Sequence, residues 1–157
     1  ALLSMLKTLL KDNITLRNTM ANLKDIGLAF FDLCESGKGW QECRRYCHEH
    51  ATFNVQAKSL EQLKTVEAYS NSMPHMFEIL PDAHYELINI ATDESRQTVI
   101  IYAHFRGTHT GISEPIPATG KSVNSDYVFI MRMASGKISE VTKVWNDNHT
   151  AIQLGWL

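Results

Sequence analysis

No long apolar run occurs anywhere in the sequence. The first apolar stretch, Leu2-Leu3-Ser4-Met5-Leu6, is broken by Lys7 and Lys11 and is too short for a membrane span or a signal-peptide core. No membrane contact is expected, and the cytoplasm is the default location. Cysteine is scarce. Cys34, Cys43 and Cys47 are nine and four residues apart, which matches neither a CxxC redox pair nor paired zinc ligands, so free thiols are expected. A concentrated basic stripe is also missing: 15 Lys and Arg stand against 17 Asp and Glu, and Arg44-Arg45 is flanked by Glu42 and Glu49. Without that stripe, nucleic acid is excluded as a partner. His48 and His50 in Cys47-His48-Glu49-His50 are metal-ligand types, but the spacing fixes no third ligand, so neither a metal nor another cofactor is expected. There is no internal repeat, low-complexity tract or linker.

What remains is the composition of one globular domain over residues 1–157, 44% hydrophobic and 20% charged. Residues 1–36 contain no Pro. They place Leu16, Met20, Leu23, Ile26, Phe30 and Leu33 at steps of three and four, which predicts a long amphipathic helix stopped by Gly37 and Gly39. A short helix over 40–47 follows. Ser59 with Gln62 three residues on reads as a capping box, predicting a helix through Leu63 and Val66 toward Met73, ended or kinked by Pro74.

Beyond Pro81 the texture is that of strands, at 84–90, 98–106, 122–133 and 137–145, separated by turn residues such as Ala134-Ser135-Gly136. Helices first and a meander afterwards predict an α+β fold. Along 123–133, Tyr127, Phe129, Met131 and Met133 point one way while Val128 and Ile130 point the other, so both sheet faces must be covered. The helices can cover only the concave one. The convex face is therefore expected to meet a second copy of the chain as a homodimer.

The segments Phe105-Arg106-Gly107-Thr108-His109-Thr110-Gly111, Pro117-Ala118-Thr119-Gly120-Lys121, Gly136-Lys137-Ile138-Ser139-Glu140 and Gln153-Leu154-Gly155-Trp156 resemble, in order and spacing, the SnoaL-like polyketide cyclases. The resemblance covers nearly the whole chain. It implies a nuclear-transport-factor-2-like (cystatin-like) cone, an α+β barrel in which helices pack into a highly curved antiparallel sheet around a pocket. It also implies cofactor-free acid/base chemistry on a small apolar carbonyl compound, with a carboxylate whose desolvation makes it a useful base.

That family's acid/base aspartate lies nine residues before the glycine of Gln-Leu-Gly, a place held here by Asn146, and the carboxylate follows at Asp147. Asp147 is thus the candidate base, Asn146 its positioning neighbour and His109 the candidate electrophilic partner. Asn146-Asp147-Asn148 also reads as the N-cap of a last helix over 149–154, and His109 as a histidine ordering its loop. Trp145, Glu140, Tyr127, Tyr102 and Phe53 are candidate pocket residues for a small apolar or aromatic ligand. A non-catalytic binder of the same fold is the alternative.

Overall fold

The computed structural model describes the backbone of residues 1–157 and the side chains of 1–16 and 23–157, so Met20 of the predicted helical stripe lies outside the described side chains. Helix α1 (Leu2–Glu35) buries Leu23, Phe30, Phe31 and Cys34 on one side. It stops where Gly37 takes a φ of 74°, a backbone state that costs a glycine nothing. Helix α2 (Trp40–Cys43) runs into a 3-10 turn, Arg44–Tyr46.

The next segment departs from expectation. Cys47–Val55 is a strand, β1, with Cys47, Ala51 and Phe53 buried; the polar run His48-Glu49-His50 hides its apolar alternation. The predicted helix start at Ser59 is only a 3-10 turn, Lys58–Leu60, and helix α3 (Val66–Ile79) begins at Thr65, whose hydroxyl accepts the Ala68 N–H at 3.1 Å. Pro74 lies inside α3, which continues to Ile79.

Four further strands follow: β2 (His84–Asp93), β3 (Thr98–Thr108), β4 (Ser122–Ala134) and β5 (Lys137–Trp145), then helix α4 (Asp147–Leu154). The spatial order is β1-β5-β4-β3-β2, antiparallel throughout except for β1, which runs parallel to β5. Register shifts between Leu87 and Asn89, between Arg132 and Met133, and between Cys47 and Thr52 mark bulges, which bend strands and raise their twist. The α+β cone with helices packed into a curved sheet is therefore as predicted.

The barrel is not. β1 and β2 are the two edges of the order and do not pair with each other, so the sheet is open. A sheet of only five strands closed on itself would have room inside for little beyond its own strand side chains. Here Phe30 and Phe31 of α1 and Tyr69 of α3 join Phe53, Tyr127 and Phe129 of the sheet in one core, and this helical layer holds the edges apart.

Strict alternation governs β4. Val123, Ser125, Tyr127, Phe129, Met131 and Met133 are buried, whereas Val128 and Ile130 lie half-buried on the outer face. Across that outer face Ile130 pairs with Ile100, and Val128 lies between Tyr102 and Val144. Among the described residues, no helix is long and apolar enough to cross a membrane.

Candidate functional site

The inward face of β5 carries Val141, Lys143 and Trp145, joined by Ile138 across the irregularity in the β4–β5 pairing, so the alternation that follows Val141 sends one lysine into the core. Lys143 lies opposite Phe129 in the β4–β5 register, and Trp145 opposite Tyr127. The last turn of α1 brings in Glu35, which is 2% exposed, and the first turn of α3 brings in Tyr69, at 1%. Together with Tyr127 these side chains line a cavity of about 180 Å³ whose remaining wall is mostly apolar, formed by Leu60, Met73, Met76, Ile79 and Phe105, with Ser72, His75 and Thr150 as its other polar members.

Three of these groups form a chain of hydrogen bonds. The Lys143 Nζ donates to the Tyr69 hydroxyl at 2.9 Å, and that hydroxyl donates to Glu35 Oε1 at 2.8 Å. The Lys143 Nζ also lies 4.8–5.8 Å from the ring centres of Trp145, Tyr127, Tyr69 and Phe129, within reach of cation–π attraction. Burial pushes the lysine's pKa down, opposed by the negative field of Glu35. Burial, reinforced by Glu35, pushes both phenols well above their ordinary value. Both tyrosines therefore stay protonated and able to donate. The Tyr127 hydroxyl is buried without a hydrogen bond of normal geometry, an arrangement that costs about 1–3 kcal/mol unless a partner arrives.

Of the residues the sequence singled out, Trp145 and Tyr127 line this cavity, and Phe53 backs it by stacking on Tyr69 with ring centres 4.3 Å apart. Tyr102 and Glu140 stand elsewhere. Tyr102 bonds His104 Nε2 at 3.1 Å, and Glu140 lies in register between Thr52 and Arg132. Trp145 is fixed by its indole N–H, which donates to Ser125 and Thr150 hydroxyls at 3.0 and 3.2 Å.

The three candidate catalytic residues are not brought together. Strand β5 ends at Trp145; Asn146 then caps α4, accepting the His149 N–H at 3.0 Å, and Asp147 is the first residue of α4. The Asp147 carboxylate accepts the Ser59 N–H at 2.8 Å. Slight burial acts to raise its pKa, but hydrogen bonds from Ser59 and from the helix's own N–H groups outweigh that and hold it below the ordinary value. His109 is fully buried in a different cluster. Its Nδ1 accepts the Trp156 indole N–H at 3.0 Å, and its Nε2 bonds Ser113 at 2.7 Å, tying the β3–β4 loop to the end of the chain.

The sequence reading missed Glu35 and Lys143. Lys143 had a signal, namely a cation two residues before Trp145 on the same strand face. Glu35 had none, because a glutamate in a helix's last turn is ordinary until a sheet is laid over it.

Comparison with known proteins follows the same lines. The chain matches the family model of the SnoaL-like polyketide cyclases over residues 26–154. Among solved structures it is similar to AclR, a proposed hydroxylase from Streptomyces galilaeus, with 20% identity and a TM-score of 0.70 over 88% of this chain and 83% of that one. It is likewise similar to wild-type IdmH, a proposed polyketide cyclase from Streptomyces antibioticus, with 17% identity and a TM-score of 0.68 over 85% and 98%. TsrD from Streptomyces laurentii gives 15% identity and a TM-score of 0.67 over 87% and 97%. At such identities the likeness establishes the fold. A search of the curated proteins returned no match.

Proposed function

The chain belongs to the SnoaL-like polyketide cyclase family, and from that premise we propose that it is a cofactor-free acid/base enzyme acting beside the carbonyl of a small apolar compound. The observation that carries this reading is the convergence of one carboxylate, one amine and two phenols on a single apolar cavity. Glu35 takes the proton from the carbon next to the carbonyl. The negative charge then develops on the carbonyl oxygen, where the Tyr127 hydroxyl and the Lys143 Nζ donate to it, in a site dry enough for those bonds to be strong. Tyr69 links the amine to the carboxylate and sets the position of both.

The cavity limits the substrate. An engineered cavity of about 150 Å³ accommodates benzene, so one of about 180 Å³ suits a compound of one ring better than a multi-ring polyketide. The outer face of the sheet, with Ile100, Val128, Ile130 and Val144, is assigned to a second copy of the chain.

The test is exchange of the hydrogens beside the carbonyl for deuterium, followed by mass spectrometry over a panel of small aryl ketones and β-diketones. The expected result is catalysed exchange that falls roughly 10²–10⁴-fold in Glu35→Gln and in Lys143→Met. Exchange that survives Glu35→Gln but disappears in Asp147→Asn would move the base to the end of β5. Binding without exchange for any ketone would favour the second reading, a carrier protein, for which the ring of aromatic faces around Lys143 is the supporting feature.

A further inference from the structure

The stripe by which α1 packs on its own sheet does not end where the domain ends. From buried Leu23, steps of alternately three and four residues lead back through position 20 to Leu16, Asn13, Leu9, Leu6 and Leu2, so that Leu2, Leu9, Leu16 and Leu23 recur every seven residues. This is the period of a two-stranded supercoil and drifts off a lone straight helix. Leu2, Leu6, Leu9 and Leu16 are 75, 49, 51 and 57% exposed, and Leu3, Met5 and Leu10 widen the stripe with similar exposure. The opposite side carries Ser4, Lys7, Thr8, Lys11 and Thr15, with Ile14 as its one large apolar member.

We propose that the first halves of two α1 helices, from two copies of this chain, pair as a parallel coiled coil through Leu2, Leu6, Leu9, Asn13 and Leu16. Asn13 sets the direction. With leucines at every seventh place, Asn13 falls on the intervening seam position, where one asparagine fixes a parallel, in-register pair because its amide meets the partner's amide. In the antiparallel arrangement it would face Leu9. Charge agrees, since the antiparallel pair would set Asp12 against itself and the parallel pair does not.

The area is adequate. Seven large apolar side chains at half to three-quarters exposure offer something on the order of 800 Å² per copy, of which a two-stranded seam buries part, enough for a small interface. From Leu23 onward the stripe turns into each copy's own core, so the helices part there. A membrane surface is the weaker occupant, since the polar side offers only Lys7 and Lys11 and the stripe is bordered by Asp12. The pairing is independent of the chemistry assigned to the cavity.

The test is disulfide trapping in the full chain. Asn13→Cys should give a covalent dimer on mild oxidation at tens of micromolar, and Lys11→Cys, on the far side of the helix, should give none above wild type, whose three cysteines are all buried. Equal trapping by both variants, or none by either, would overturn the pairing. Leu9→Asp combined with Leu16→Asp, made in a Val128→Glu background that takes the outer sheet face out of play, supplies a second measurement: cross-linking of the native lysines should lose its dimer band relative to Val128→Glu alone while near-ultraviolet circular dichroism keeps the domain's signal. An unchanged band overturns the proposal too, as does co-sedimentation of wild type with phosphatidylserine vesicles in place of self-association.

Discussion

At the scale of single residues, the same short stretch of chain supplies one amine and one carboxylate with opposite destinations. Lys143 enters the cavity, and Asp147, four residues later, closes a surface turn by holding the Ser59 N–H. Because the folded chain holds the Asp147 pKa below the unfolded value of 3.8, the carboxylate contributes stability above that value and loses it as pH falls through the folded one. Asp147→Ala should therefore lower the urea midpoint at neutral pH, and the gap to wild type should narrow as pH falls below the unfolded value. A gap that stays constant with pH would show that Asp147 acts through something other than its charge. Asn146→Asp keeps a capping side chain at the start of α4, so it should leave the melting temperature nearly unchanged, whereas Asn146→Ala should cost about 1 kcal/mol.

At the scale of elements, the cavity depends on how α3 is held at both ends. Its start is fixed by the Thr65 hydroxyl, and Thr65→Ala should cost about 1 kcal/mol by denaturant titration. Its end is gripped by the β3–β4 loop: the Gly111 N–H donates to the Ile79 carbonyl at 3.0 Å, and a Cβ on Gly111 would overlap the Glu78 carbonyl oxygen. Gly111→Ala is expected to cost about 3 kcal/mol or more, the upper end of overpacking, because the obstacle is backbone. A variant as stable as wild type would mean that the loop can leave α3 freely. His109 works at this scale as well. With both ring nitrogens bonded, it joins the loop to Trp156, so His109→Ala should lower stability and spare deuterium exchange in whatever fraction remains folded.

At the scale of the molecule, the outer sheet face is the other surface proposed for self-association. Ile100 and Val144 are 37 and 55% exposed there, continuous with half-buried Val128 and Ile130. Val128→Glu would set a charge in the middle of that patch and should shift the sedimentation of the chain to a smaller species at micromolar concentration. Unchanged sedimentation would leave the face to another role. The barrel expected from sequence fails for a reason at this scale too, since whether a curved sheet closes depends on what fills its concavity.

The sequence by itself determined the long first helix, the four later strands and the order of helices before sheet, because each rests on a local period: steps of three and four up to Leu33, and steps of two from Tyr127 to Met133. It also determined the family, through segments such as 105–111 and 153–156 whose spacing is carried in the chain. Strand β1 was not legible, since Cys47–Val55 becomes a strand only by pairing with β5, which follows it by more than eighty residues. The cavity was legible only in part. Trp145 and Tyr127 follow from alternation, but Glu35, Tyr69 and Lys143 come from three different elements, and nothing in their separation along the chain foretells hydrogen bonds of 2.8 and 2.9 Å. Local period fixes which side of an element a residue occupies; only packing decides which sides meet.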